Sequence, residues 1–381
     1  MAEAITWETL RELAAFRAVK GCAISLYVGL DPSEVPTAPA LDTRINAQLT
    51  AAERIVDERK AGLTHEEREA LKSDLERLRD WFETDFDRDG ARGVAVFAAS
   101  LDNMWHPLLL ADPVEDAIHV NGELHLAPLV RLIGRPEGAI VAFIGRERAD
   151  VWRLRGGRLV EIADRSTEIQ GQHDQGGWSQ GRYERSIENQ VARHFAEVAE
   201  TLDRCVQRRR GVPVVLVGLE EVRSDFEQLL ANETRPCVVG WTTTEAHADA
   251  PQLLEAALPL FDEWRDRQDA ELLDRWREEA AKDGRAATGW EQTLEAASDG
   301  RVDMLLVQEG ADREAYRCPA CGRVQVEEGD YPLDGTKLEA SDAGLDLAVH
   351  QTLNHGGTVR VIAGERRDLE PVGGVAALLR F

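Results

Sequence analysis

Short, continuous apolar runs alternate with amphipathic helical stripes along this 381-residue chain, and that alternation restricts it to an α/β class. Cys22–Leu30 (CAISLYVGL) reads as a buried strand, stopped by Asp31-Pro32. Two helices follow. Ile45, Leu49, Ala52 and Val56 form one stripe; Leu71, Leu75, Leu78 and Phe82 form the next, behind a Thr64 N-cap with Glu67 three residues on. Arg92–Ser100 returns as a strand, further short strands lead to Leu132, and Gly134-Arg135-Pro136 is a natural boundary.

The middle of the chain opens with a strand at Ala139–Ile144. A hairpin follows, turning at Gly156-Gly157. Ser166–Gly181 is polar, rich in Gly and Gln and without periodicity, so an exposed loop is expected there. A long helix then runs to about Gln207, with Ile187, Val191, Phe195, Val198 and Leu202 along one face. Val212–Gly218 and Cys237–Trp241 read as strands, with helices over Ser224–Leu230 and from about Glu245. After a charged helical span, Leu260–Asp283, come a strand (Val302–Val307), a small insertion (Cys318–Leu338), a helix (Gly344–Asn354) and the strands Thr358–Ala363 and Gly373–Phe381. The expected architecture is three domains, 1–134, 135–262 and 263–381, each a mixed sheet flanked by helices. The central one carries a Gly-Gly loop before a long helix.

Charge separates the middle from the rest. The net charge of -25 argues against a polyanionic partner at first sight. Between Arg135 and Arg210, however, 14 Arg stand against 12 acidic residues, so this segment carries +2 and the remainder -27. Lysine is confined to Lys20, Lys60, Lys72, Lys282 and Lys337, so arginine supplies almost all of the positive charge, a bias that GC-rich coding alone would produce. No apolar run approaches the length of a membrane span, and MAEAITWETLREL has neither the basic nor the apolar region of a signal peptide, so a cytoplasmic protein is expected. Cys22, Cys205 and Cys237 lie in apolar patterns and read as small core residues.

The chemically informative stretch runs from Gly171 to Arg204. Gly176 and Gly177 allow a loop tip to adopt positive φ and approach another backbone closely. Behind them, a rotation of 100° per residue gathers Arg182, Arg185, Asn189 and Arg193 opposite Val191 and Phe195. A basic helix start behind a glycine tip suits phosphate contact. The bland alternative is an exposed linker before a structural helix, with Trp178 covering an apolar patch. His173 and Asp174 have no identifiable third partner and read as loop polar residues.

The order Gly-Gly, Ser179, Arg182-Tyr183 and a further Arg resembles the Gly-Gly-Gln loop and following helix of the archaeal and eukaryotic release factor 1 superfamily. A gapless match puts Trp178 where that family has its glutamine; alternatively Gly176-Gly177-Trp178-Ser179-Gln180 is a relaxed motif with Gln180 displaced by two. The second form is similar to bacterial relatives of the superfamily and to Vms-type peptidyl-tRNA hydrolases; Pelota-like and Balon-like proteins are the relatives that the non-catalytic reading resembles. The ending PVGGVAALLRF also resembles the closing strand of family members.

The resemblance implies a ribosome-associated protein that contacts ribosomal RNA and peptidyl-tRNA, with a translational GTPase as a further partner and no membrane or DNA. Its implied activity is codon-independent hydrolysis of the peptidyl-tRNA ester on stalled ribosomes. Gln180, with Gly176 and Gly177, would position the water, while Trp178, Ser179, Arg182, Arg185, Asn189 and Arg193 would contact RNA. The alternative is a non-catalytic hibernation or rescue factor in the A site, where the Trp178 indole stacks on an unpaired base. The N-terminal third has no Asn-Ile-Lys-Ser-like tract, so ordinary termination is not expected.

Cys318-Pro-Ala-Cys321-Gly has the form of a zinc knuckle. Its second half would be Tyr331-Pro-Leu-Asp334-Gly, where Tyr331 and Asp334 occupy the places of two cysteines. No cofactor is expected; zinc on Cys318 and Cys321, with Asp334 as a third ligand, is the one metal site the spacing suggests, and a metal-free hairpin is its alternative.

Overall fold

A computed structural model describes residues 5–59, 62–88, 90–133, 138–146, 148–155, 157–164, 180–209, 211–245, 247–282, 284–330, 335–341 and 343–381, without the side chains of 163, 164, 180–188 and 365. Three sheets flanked by helices and a small fourth sheet make up a mixed α/β fold.

The first segment contains α1 (Trp7–Ala15), β1 (Ala23–Gly29), α2 (Ala38–Glu58), α3 (His65–Thr84), β2 (Gly93–Ala99), β3 (Met104–Leu110), β4 (Ala117–Asn121) and α4 (Ala127–Leu132). Helix α3 begins with the expected reciprocal cap: Glu67 N–H donates to Thr64 Oγ1 (3.2 Å) and Thr64 N–H to Glu67 Oε2 (2.7 Å). The sheet order is β3-β2-β1-β4, and every pair is antiparallel rather than mixed. Its two faces are both covered, so β1 and β2 are buried throughout instead of alternating. Residues before Leu132 form a helix, not another strand, with Pro128 at its start.

The central segment holds β5 (Ile140–Ile144), β6 (Ala149–Arg155), β7 (Arg158–Asp164), α5 (Gln180–Arg208), β8 (Val214–Gly218), α6 (Glu220–Glu227), β9 (Val238–Thr242) and α7 (Ala250–Ala281). Its order is β7-β6-β5-β8-β9. The β5–β6–β7 ladder is antiparallel, and β8 and β9 run parallel to β5. Helices α5 and α6 cover one face and α7 the other.

The last segment comprises β10 (Ala286–Thr288), α8 (Gly289–Ser298), β11 (Val302–Gln308), β12 (Ala315–Arg317), β13 (Val324–Gln325), β14 (Glu339–Ser341), α9 (Gly344–Asn354), β15 (Thr358–Ile362) and β16 (Val375–Leu379). The main sheet is β10-β16-β11-β15, with β11 and β15 parallel; the insertion is a separate sheet, β13-β12-β14.

By their contacts, 1–135 and 271–381 form one compact unit and 136–270 another. The first and last thirds, read from sequence as separate domains, share a core. Leu10, Leu13, Ala14 and Leu126 lie in one cluster with Leu345, Val349 and Leu353 of α9. The reason is α9 itself, which is buried over nearly all its length and needs partners on both sides. Helix α7 likewise runs unbroken through the boundary expected at 262. No glycine ends it, and Leu253, Ala257 and Phe261 anchor it around Pro259, so packing overrides that proline's preference.

Candidate functional site

The central sheet presents the carboxyl ends of β5, β7, β8 and β9 along one edge. Ile144 closes β5 opposite Gly218 of β8 and opposite Ala149 of β6; Asp150, the next residue of β6, pairs with Asp164, the last of β7. β7 therefore ends at this edge, fifteen residues before α5 begins.

Helix α5 is far longer than the strands it covers. Its 29 residues span about 43 Å, against about 16 Å for a five-residue strand. Phe195, Val198, Ala199, Leu202 and Val206 seat it on the sheet, as the apolar stripe anticipates, with Val191 packed at the margin. His194 meets the backbone of Gly145, just beyond β5, and so marks where the helix passes the sheet edge. The residues before it, Gln180 to Arg193, carry the helix about 20 Å further. Asn189 and Arg193 are exposed on this projecting part, as required of RNA-contacting residues. Gln180 is the helix's first residue, and Arg182 and Arg185 follow in its first two turns; their side chains, and all of Gly176, Gly177, Trp178 and Ser179, lie outside the described residues.

The base of the projection is braced by groups with no sequence signature. Asp150 is buried and accepts from the Arg148 guanidinium, which also donates to the Ala248 carbonyl (3.2 Å) and lies 5.2 Å from the Phe143 ring centre. Burial pushes the His194 pKa below the ordinary histidine value, against the Gly145 backbone bond and Glu197, which raise it; the ring is therefore mainly neutral at pH 7. Arg146 stands exposed in the turn between β5 and β6. A titratable pair two residues apart and one helical histidine are too common in sequences to single out.

The cysteine pair does form a turn of the knuckle kind. Cys318 N–H donates to Arg323 O and Gly322 N–H to Cys318 O, each at 2.8 Å, with Gly322 at φ +78°. Cys318 is buried and Cys321 exposed. Tyr331 and Asp334 lie outside the described residues, and among the described residues no three His, Cys, Asp or Glu side chains converge as metal ligands. The turn carries both thiols, and no step is assigned to a metal.

Two family models match successive parts of the chain: "Bacterial archaeo-eukaryotic release factor family 10" over residues 125–261 and "eRF1 domain 3" over 267–381. The chain belongs to the archaeal and eukaryotic release factor superfamily. Peptide chain release factor subunit 1 of Archaeoglobus fulgidus is 27% identical over 287 residues, covering 69% of this chain and 70% of the relative. The same factor from Thermoplasma acidophilum is 26% identical, covering 68% of each. Among solved structures, Archaeoglobus fulgidus Pelota aligns over 100% of this chain and 93% of its own at 16% identity and TM-score 0.36. An archaeal translation termination factor aligns over 99% of each at 17% and 0.27. The first matched segment contains all of α5 and the residues 165–179 that precede it. Among the described residues, no helix is long and apolar enough to cross a membrane.

Proposed function

We propose that this release-factor-like protein acts in the cytoplasm on ribosomes, presenting residues 165–179 and the start of α5 to ribosomal RNA and peptidyl-tRNA. The observation that carries this reading is the long overhang of α5: a helix seated by Phe195 to Val206 holds its glycine-preceded start well beyond its own sheet. A helix start held this far from its sheet suits reach into a narrow cavity. The superfamily match over 125–261 supports the same assignment. Delivery by a translational GTPase belongs to this proposal.

The chemistry proposed for the tip is ester hydrolysis of peptidyl-tRNA on stalled ribosomes. Gln180 would hold a water in line with the ester carbonyl, and N–H groups of the Gly176-Gly177 backbone would receive developing oxyanion charge. An amide side chain positions water without acting as a base, so the leaving 3′-oxygen would take its proton from solvent or RNA. Purified ribosomes carrying labelled peptidyl-tRNA provide the test. Release by the wild-type protein and at least a tenfold slower release by Gln180→Ala are expected, the scale of losing one positioning contact. Wild-type release matched by the variant would remove Gln180 from the mechanism.

A second reading rests on Trp178, which occupies the glutamine's place in the gapless match. In it the protein occupies the A site without chemistry and the indole stacks on a base. Tight ribosome binding with no peptide release, weakened by Trp178→Ala, is its distinguishing result.

A further inference from the structure

The knuckle at the root of the small insertion holds two thiols that the proposed function leaves unused. Strands β12 and β13 form a hairpin whose turn is Cys318-Pro-Ala-Cys321-Gly. The bonds from Gly322 N–H to Cys318 O and from Cys318 N–H to Arg323 O double the chain back within five residues. Pro319 fixes its own φ near about -65°, and Gly322 supplies the positive φ of +78° that ends the turn. Residues three apart in so tight a turn have Cα atoms within about 7 Å, and a disulfide spans about 4.4–6.8 Å. The backbone that could present two sulfurs to a metal therefore also holds them at disulfide reach of each other.

The two sulfurs differ in access, and that difference orders their chemistry. Cys321 is exposed, whereas Cys318 is 0% exposed. A small reagent in solution can meet the first thiol but not the second. The turn is also held from outside. Gln351 Nε2 of α9 donates to Gly322 O (2.8 Å), Arg323 pairs with Asp299 just past α8 (2.7 Å), and Val324 N–H donates to Ser298 Oγ at the end of α8 (3.0 Å). These contacts keep the buried cysteine beside the exposed one.

We infer that Cys318 and Cys321 form a thiol–disulfide switch, closed by exchange with a low-molecular-weight disulfide. The Cys321 thiolate attacks one sulfur of the small disulfide, forming a mixed disulfide and releasing one small thiolate. The Cys318 thiolate then attacks Cys321 Sγ, which closes the Cys318–Cys321 bond and expels the second small thiolate. Two electrons pass from the protein to the reagent, and the two protons given up by the cysteines end on the two small thiols. A reducing compartment holds such a pair open, and closure follows when the disulfide share of its thiol pool rises. The closed bond pins the root of the insertion where it meets α8 and α9. The inference does not depend on the ribosome-directed reading.

The test incubates the full chain with oxidised glutathione, blocks remaining thiols with iodoacetamide and maps a tryptic digest. Trypsin cuts after Arg317 and Arg323, so both cysteines fall in one peptide, Cys318–Arg323. In the wild type this peptide should lose two hydrogens and take up no alkyl group, and dithiothreitol should reverse both changes. Cys318→Ser should stop at one glutathione on Cys321, the mixed disulfide left unresolved. Cys321→Ser should leave Cys318 without glutathione while the chain is folded. In one fixed mixture of oxidised and reduced glutathione, the closed-to-open ratio should be about tenfold higher for the native chain than in urea, because the turn is already formed. A wild-type peptide that stays in the dithiol form overturns the proposal, whether burial or a bound metal shields the sulfurs. So does a Cys318→Ser chain that gains no glutathione on Cys321. If either variant fails to fold, the wild-type ratio still decides: equal closure in native buffer and in urea overturns the switch.

Discussion

At the scale of single residues, the most connected buried charge is Asp346 in α9. One carboxylate oxygen accepts from Leu126 N–H (3.0 Å) and Ala127 N–H (2.9 Å), the opening of α4, and the other pairs with His125 Nδ1. One turn on, His350 meets Ala14 O (3.1 Å) and Leu124 O (2.7 Å) with its two ring nitrogens. Burial pushes the Asp346 pKa up, but His125, His350 and the backbone donors outweigh it and hold the carboxyl below its ordinary value. A depressed carboxyl stabilises the fold above its unfolded pKa, about 4, and that contribution is lost as pH falls through the folded pKa. Asp346→Asn should cost about 2–4 kcal/mol at neutral pH in denaturant unfolding. Its deficit should shrink on acidification below pH 4; a deficit that is constant with pH would contradict the ion-pair account. None of this was readable in sequence, because the partners are some 220 positions apart and neither has a motif.

At the scale of elements, what was legible is what repeats locally. The stripe through Phe195, Val198 and Leu202 located α5 and its buried face, and Thr64 with Glu67 located the start of α3. Helices α1 and α8 and the continuity of α7 were not legible: their faces are completed by distant partners, and Pro259 reads as a break in isolation. Around α5 the same division holds. The exposure of Asn189 and Arg193 followed from the helical stripe, whereas the Arg148–Asp150 brace emerges only once strand register is known. Phe195, edge-on to Phe226 at 6.0 Å between ring centres, anchors the overhang. Phe195→Ala should lower stability of the central unit by about 3–5 kcal/mol. It should also raise amide exchange across α5 before it affects β5 or β8; uniform loss of protection would show that the helix is not separately seated.

At the scale of the whole molecule, charge is unevenly divided along the sequence: the 135–210 segment carries +2 in a chain of -25. The -27 carried by the rest of the chain disfavours a polyanion, so the proposed ribosome binding should depend on the 135–210 segment and weaken steeply with salt. The most direct measurement is co-sedimentation of the purified protein with ribosomes at moderate salt, beside the variant Arg182→Glu/Arg185→Glu. The wild type is expected in the ribosomal pellet, with the variant remaining in the supernatant. A wild-type protein that stays in the supernatant would contradict the account.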